Sequence, residues 1–125
     1  MKYPLLKDIG LLVFRVSISV MMMMHGVPKF LKLMSGDVGF GDPIGIGAVP
    51  SLILTIIGEL LCPLFIIVGF KTRIAAIPSV ITMAVATFIV HLSAPFETKE
   101  KALFYFVGFL TILLTGPGKF SIDKR

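Results

Sequence analysis

Four ionisable side chains, Arg15, His25, Glu59 and His91, interrupt the apolar stretches of this 125-residue sequence. A charge in hydrocarbon costs about 2.5 to 3.5 kcal/mol on insertion scales, so each such residue needs a partner or a task. Counted from the ends of their stretches, Arg15 and Glu59 both lie roughly 10 to 15 Å deep at the helical rise of ~1.5 Å per residue. They are expected to meet as a buried pair. That pair has two readings: it fixes the register of two antiparallel helices and does no chemistry, or it lines a polar cavity in which Glu59 carries a proton or binds a headgroup.

His25 and His91 close the far ends of the first and third stretches, each ~25 Å along a helix from the opposite boundary. Tyr105 falls at a similar level. Two imidazoles from different helices can bind a metal or haem axially, or hydrogen-bond quinone carbonyls with Tyr105 joining them. The plain alternative is that both histidines are half-solvated residues capping helix ends, and that Tyr3, Phe96 and Tyr105 form an interfacial aromatic belt. Neither HxxxH nor CxxC accompanies the histidines, which ranks quinone or a similar small ligand ahead of haem and predicts no dedicated metal site. Met22 precedes His25 by three residues, Lys29 follows it by four, and Thr87 precedes His91 by four. The single cysteine, Cys62, excludes a dithiol mechanism within the chain.

Pro63 has no N–H, so the carbonyl of Glu59 loses its intrahelical donor and a kinked, polar patch of backbone should result. Thr55, Glu59 and Cys62 share one face, and Arg15, Ser19 and Met22 repeat that spacing on the first helix. Ala75, Ser79 and Ala86, and Gly108 with Thr111 and Thr115, read as small residues that allow close helix packing. Thr82 and Thr87 are expected to bond to their own backbone.

The elements that must position these groups follow from composition. Hydrophobic residues make up 56% of the chain and charged residues 15%, with mean hydropathy +0.99; soluble domains carry about 25% charged residues. Disorder and a conventional cytosolic enzyme are excluded. A bilayer core needs roughly 20 apolar residues per helical span, and the polar breaks define spans at 8–31, 49–70, 74–92 and 100–115. The expectation is an all-α integral membrane protein, a four-transmembrane-helix antiparallel bundle forming a single domain over 1–125. The first stretch reads as a retained span, since Arg15 interrupts it and no small-x-small cleavage site follows. The fourth is short and is expected to start near Lys99, and Gly116-Pro117-Gly118 ends it. A Gly-rich loop at 33–48, with Asp37 and Asp42 among Gly36, Gly39, Gly41, Gly45 and Gly47, lacks the Gly-Lys-Ser/Thr ending of a phosphate cradle.

Lys2, Lys7, Lys71, Arg73, Lys119, Lys124 and Arg125 fall on one side of such a bundle. On the other, Lys29, Lys32, Lys99 and Lys101 are offset by Asp37, Asp42, Glu97 and Glu100. Both termini are therefore expected in the cytoplasm. The net charge of +5 reads as a topology signal with contact to anionic lipid of the bilayer, not as nucleic-acid binding.

Taken in order, Leu12-Val13-Phe14-Arg15, His25-Gly26-Val27-Pro28-Lys29-Phe30, Gly58-Glu59-Leu60, Gly69-Phe70-Lys71-Thr72-Arg73-Ile74-Ala75-Ala76 and the ending Leu114 to Asp123 resemble the DoxX family. The resemblance implies a bacterial inner-membrane protein of four helices in a redox-associated grouping, with relatives that include a membrane subunit of a thiosulfate:quinone oxidoreductase. It marks Arg15, His25, Lys29, Glu59, Arg73 and His91 as motif positions. The leading expectation is a membrane subunit of a quinone-linked oxidoreductase system, without a complete catalytic site of its own, serving a redox partner protein. Arg15 and Glu59 would organise its cavity, and His25, His91 and Tyr105 would handle protons or ligand oxygens. The alternative is a non-enzymatic scaffold or assembly factor for a redox or stress-response complex, its ion pair and small-residue faces serving packing and homo-oligomer formation.

Overall fold

The computed structural model describes residues 3–36 and 45–123. Asp37, Gly39, Gly41 and Asp42 of the expected Gly-rich loop, with Lys2, Lys124, Arg125 and the side chain of Tyr3, lie outside the described residues. What is described is all helical and strand-free: α1 (Tyr3–Met34), α2 (Ala48–Ile56), α3 (Cys62–Val68), α4 (Thr72–Val85) and α5 (Phe96–Thr115). A π-helical turn, Ile57–Leu61, fuses α2 and α3 into one rod, and a second, Ala86–Val90, extends α4. The four rods pack antiparallel to their neighbours. Along α1, Gly26 faces Glu59 while Arg15 faces Gly69; Ser79 of α4 reaches Gly58; His25 meets Tyr105 of α5, and Gly108 seats Ile18.

The rods Ala48–Val68 and Thr72–Val90 are each long and apolar enough to cross a membrane. Ile74, Ile81, Phe104 and Leu114 point outward and are more than half exposed, as a lipid-facing surface requires and a water-facing one resists. Ile66, Ala76 and Phe109 are fully buried between the rods. The last helix begins at Phe96, more than a turn before the expected 100–115, because Pro95 stands at its N-cap and Glu97 in its first turn, where a carboxylate complements the helix dipole. Its charged first turns had masked it.

The π turn at 57–61 follows from Pro63. With no N–H at 63, the ladder opens, and the amide of Cys62 reaches back five residues to the carbonyl of Ile57. Ser79 Oγ donates to the Gly58 carbonyl at 2.6 Å, so part of the loosened backbone is satisfied from α4. In the second π turn the amide of His91 bonds to the carbonyl of Ala86 at 3.0 Å. Such turns add a residue to one helical turn and re-aim the side chains beyond them. Thr82 bonds to its own backbone at Pro78, 2.8 Å away. Thr87 does not: its hydroxyl is buried and has no partner among the described residues, because the π turn displaces it from the ordinary back-bonding position.

At the opposite end, α3 stops in a Schellman arrangement around Gly69 (φ 74°), with the Phe70 amide on the Phe65 carbonyl at 3.0 Å. The segment after α5 then lies across this end. The amides of Ile122 and Asp123 bond to the carbonyls of Val68 and Gly69 at 3.2 and 2.9 Å. The Asp123 carboxylate accepts from the amides of Lys71 and Thr72 at 2.9 and 2.8 Å, capping α4 from a distant part of the chain.

Candidate functional site

Arg15 belongs to this capped end, which corrects the expected pairing with Glu59. Its guanidinium is buried and donates from Nη1 to the Pro117 carbonyl at 3.1 Å and from Nη2 to the Phe120 carbonyl at 2.9 Å. Two carbonyls freed by the Gly-Pro-Gly turn suit a planar fork of donors. Arg73 is exposed and reaches the Thr115 carbonyl at 3.4 Å. Neither arginine lines the cavity described next, so Arg15 does not organise it.

Glu59 finds Lys29 instead. The Lys29 ammonium sits 2.6 Å from Glu59 Oε1, with the carboxylate side chain 5% exposed and the lysine 31%. Gly26, one turn before Lys29, makes the approach feasible: a Cβ there would lie 2.6 Å from the Glu59 carbonyl oxygen. Lys29 lies fourteen positions beyond Arg15 toward the outer end of α1, about 21 Å at the helical rise of ~1.5 Å per residue. Depth estimates from span ends erred because α1 overruns its apolar stretch at both ends.

The Lys29–Glu59 pair forms one wall of a cavity of about 330 Å³ into which His25, His91 and Tyr105 also project. The His25 and Tyr105 rings meet edge to face with centroids 5.8 Å apart. Tyr105 is 4% exposed, so it is a buried cavity residue and not part of a surface belt. Its ring stacks on Phe109 at 6.4 Å, and its hydroxyl makes no hydrogen bond among the described residues. Ala86 and His91, five apart across the π turn, share the cavity; in an α-helix that spacing would have turned one of them away.

Met22, Met83 and Ala102 supply the apolar wall, and Thr98 and Lys101 complete the lining from α5. Lys101 and Thr98 had not been anticipated as site residues. The signal was present: Thr98, Lys101 and Tyr105 stand at i, i+3 and i+7, one helical face, once the helix is known to start at Pro95. Chemically the cavity offers imidazoles and a hydroxyl able to donate or accept, a neutralised ion pair and an apolar wall. Among the described residues no group of three or more His, Cys, Asp and Glu side chains gathers as metal ligands would.

The DoxX family model matches residues 10–92. The chain belongs to the DoxX family. That match takes in Arg15, His25, Lys29, Glu59, Arg73 and His91, and leaves α5 with Lys101 and Tyr105 beyond it. DoxX proteins are membrane proteins, in keeping with the two membrane-length helices here. The chain is similar to an uncharacterized protein of Haemophilus influenzae, 30% identical over 118 residues that cover 89% of this chain and 86% of the relative. It is also similar to a Bacillus subtilis protein named "Putative oxidoreductase CatD", 30% identical over 119 residues covering 93% of this chain and 86% of that one. No solved structure matches this DoxX chain significantly.

Proposed function

We propose that this DoxX protein is a four-span protein of the bacterial inner membrane, both termini cytoplasmic, that binds quinone or a similar amphipathic ligand and serves electron transfer with a partner protein. One observation carries the reading: Lys29–Glu59, His25, His91 and Tyr105, drawn from all four rods, line one cavity together with the apolar Met22, Met83 and Ala102. Its volume, about 330 Å³, suits a ring headgroup at the small end of ligand sites, roughly 300 to 1,000 Å³. An isoprenoid tail would run out between the rods into lipid. The orientation rests on Lys71, Arg73 and Lys119 at the end closed by the C-terminal segment, which follows the positive-inside bias. The oxidoreductase name of the Bacillus subtilis relative is consistent with redox work. With two imidazoles and no group of three or more His, Cys, Asp or Glu ligands among the described residues, metal or haem binding draws less support.

The test is mass spectrometry with an absorption spectrum on gently purified protein. A stoichiometric quinone, lost from the His25→Ala/His91→Ala double variant, is the expected result. A colourless protein carrying only bulk lipid would overturn it and favour a scaffold role.

A further inference from the structure

Among the described residues, the charges that line the cavity do not balance. Lys29 is neutralised by Glu59 at 2.6 Å. Lys101 also lines the cavity, and it has no hydrogen bond or ion pair among the described residues, although Glu97 precedes it by one turn. Thr98 and Tyr105 flank it on the same face of α5, and the Tyr105 hydroxyl makes no hydrogen bond among the described residues. One cation and one hydroxyl donor therefore converge on a space that Met22, Met83 and Ala102 also line. A neutral ring filling that space would give the ammonium no counter-charge, whereas a ring carrying an anionic oxygen would pair with it through a charge-assisted hydrogen bond.

We propose that this cavity selects an anionic ring ligand, a planar apolar ring bearing an ionised oxygen, and that Lys101 is the specificity-determining residue. The ring lies against the methionine wall, and the charged oxygen takes the Lys101 ammonium and the Tyr105 hydroxyl. The proposal rests on the reading above, in which a ring ligand occupies the cavity at all, and adds the charge of that ligand and the residue that reads it.

Two naphthoquinones of nearly equal shape separate the possibilities. Menadione carries a methyl group where lawsone carries a hydroxyl that is ionised at neutral pH. Both are titrated into the purified full chain in nanodiscs, in a Cys62→Ser background so that no thiol adds to the ring, with parent, Lys101→Gln and Lys101→Glu proteins compared. Lawsone is expected to bind the parent about tenfold tighter than menadione, the scale of one charge-assisted contact. Lys101→Gln should bring the ratio to about one without weakening menadione, and Lys101→Glu should invert it. Equal affinities in the parent, or a preference that survives Lys101→Gln, would overturn the role of charge and leave the ring-binding reading standing. If neither compound binds, both fail. Lys101 is exposed, so its variants keep the fold, and unchanged thermal unfolding verifies this.

Discussion

Arg15 and Phe120, 105 positions apart in the chain, are joined by a 2.9 Å hydrogen bond from the guanidinium to a backbone carbonyl. With the parallel bond to Pro117 at 3.1 Å, it ties the C-terminal segment to the first helix. The costliest residue in the first span thus finds its partners in the backbone of the tail.

Arg15→Gln should release that segment while leaving the bundle folded. Hydrogen bonds to a charged donor contribute about 1.5 to 3 kcal/mol each, so a loss of about 2 to 4 kcal/mol is expected in chemical unfolding. The amides of Ile122 and Asp123, bonded to Val68 and Gly69, should exchange hydrogen faster. Arg15→Lys should not restore protection, since a point charge cannot serve both carbonyls in a fixed fork.

Glu59 should couple to Lys29 and not to Arg15. In a double-mutant cycle, Lys29→Met with Glu59→Gln is expected to show an interaction energy of about 1 to 3 kcal/mol, below a fully buried pair because Lys29 is partly solvated. Arg15→Gln with Glu59→Gln should be additive within about 0.5 kcal/mol. Coupling of the second pair as strong as the first would contradict the structure.

Gly26→Ala tests the contact that brings α1 against the π turn. The new methyl would meet the Glu59 carbonyl oxygen at 2.6 Å, and backbone cannot swing aside. A destabilisation of about 1 to 3 kcal/mol is expected, with weaker ligand binding because the Lys29–Glu59 wall moves. Gly10→Ala is the control: nothing lies within 4 Å of its Cβ, so better helix propensity should stabilise by up to about 1 kcal/mol.

Tyr105→Phe should separate binding from packing. The hydroxyl has no hydrogen-bond partner among the described residues to lose, while the ring keeps Phe109 and His25. Thermal unfolding should stay near parental, and lawsone affinity should fall about five- to tenfold. Tyr105→Ala, by contrast, should destabilise by about 3 to 5 kcal/mol through the cavity it leaves.

Composition and polar breaks in the sequence determined the helical class, the membrane character shared by the family, and two rods, 48–68 and 72–90, whose ends fall within two residues of expectation. They also singled out His25, Glu59, His91 and Tyr105, because ionisable or hydroxyl groups in apolar stretches are conspicuous. Which of these groups meet was decided only in three dimensions. The π turns add residues that no helical count from a span end includes, and the apolar stretch of α1 understates the helix that carries Lys29 to Glu59. The tail that satisfies Arg15 is distant in sequence, and the polar first turns of α5 hid Lys101 and Thr98 from any hydropathy argument. A period and a composition determine which face of a helix is apolar; the rotation and depth of one rod against another come from packing, from Gly26 and Gly108 admitting their neighbours, and from partners that backbone carbonyls offer without any mark in the sequence.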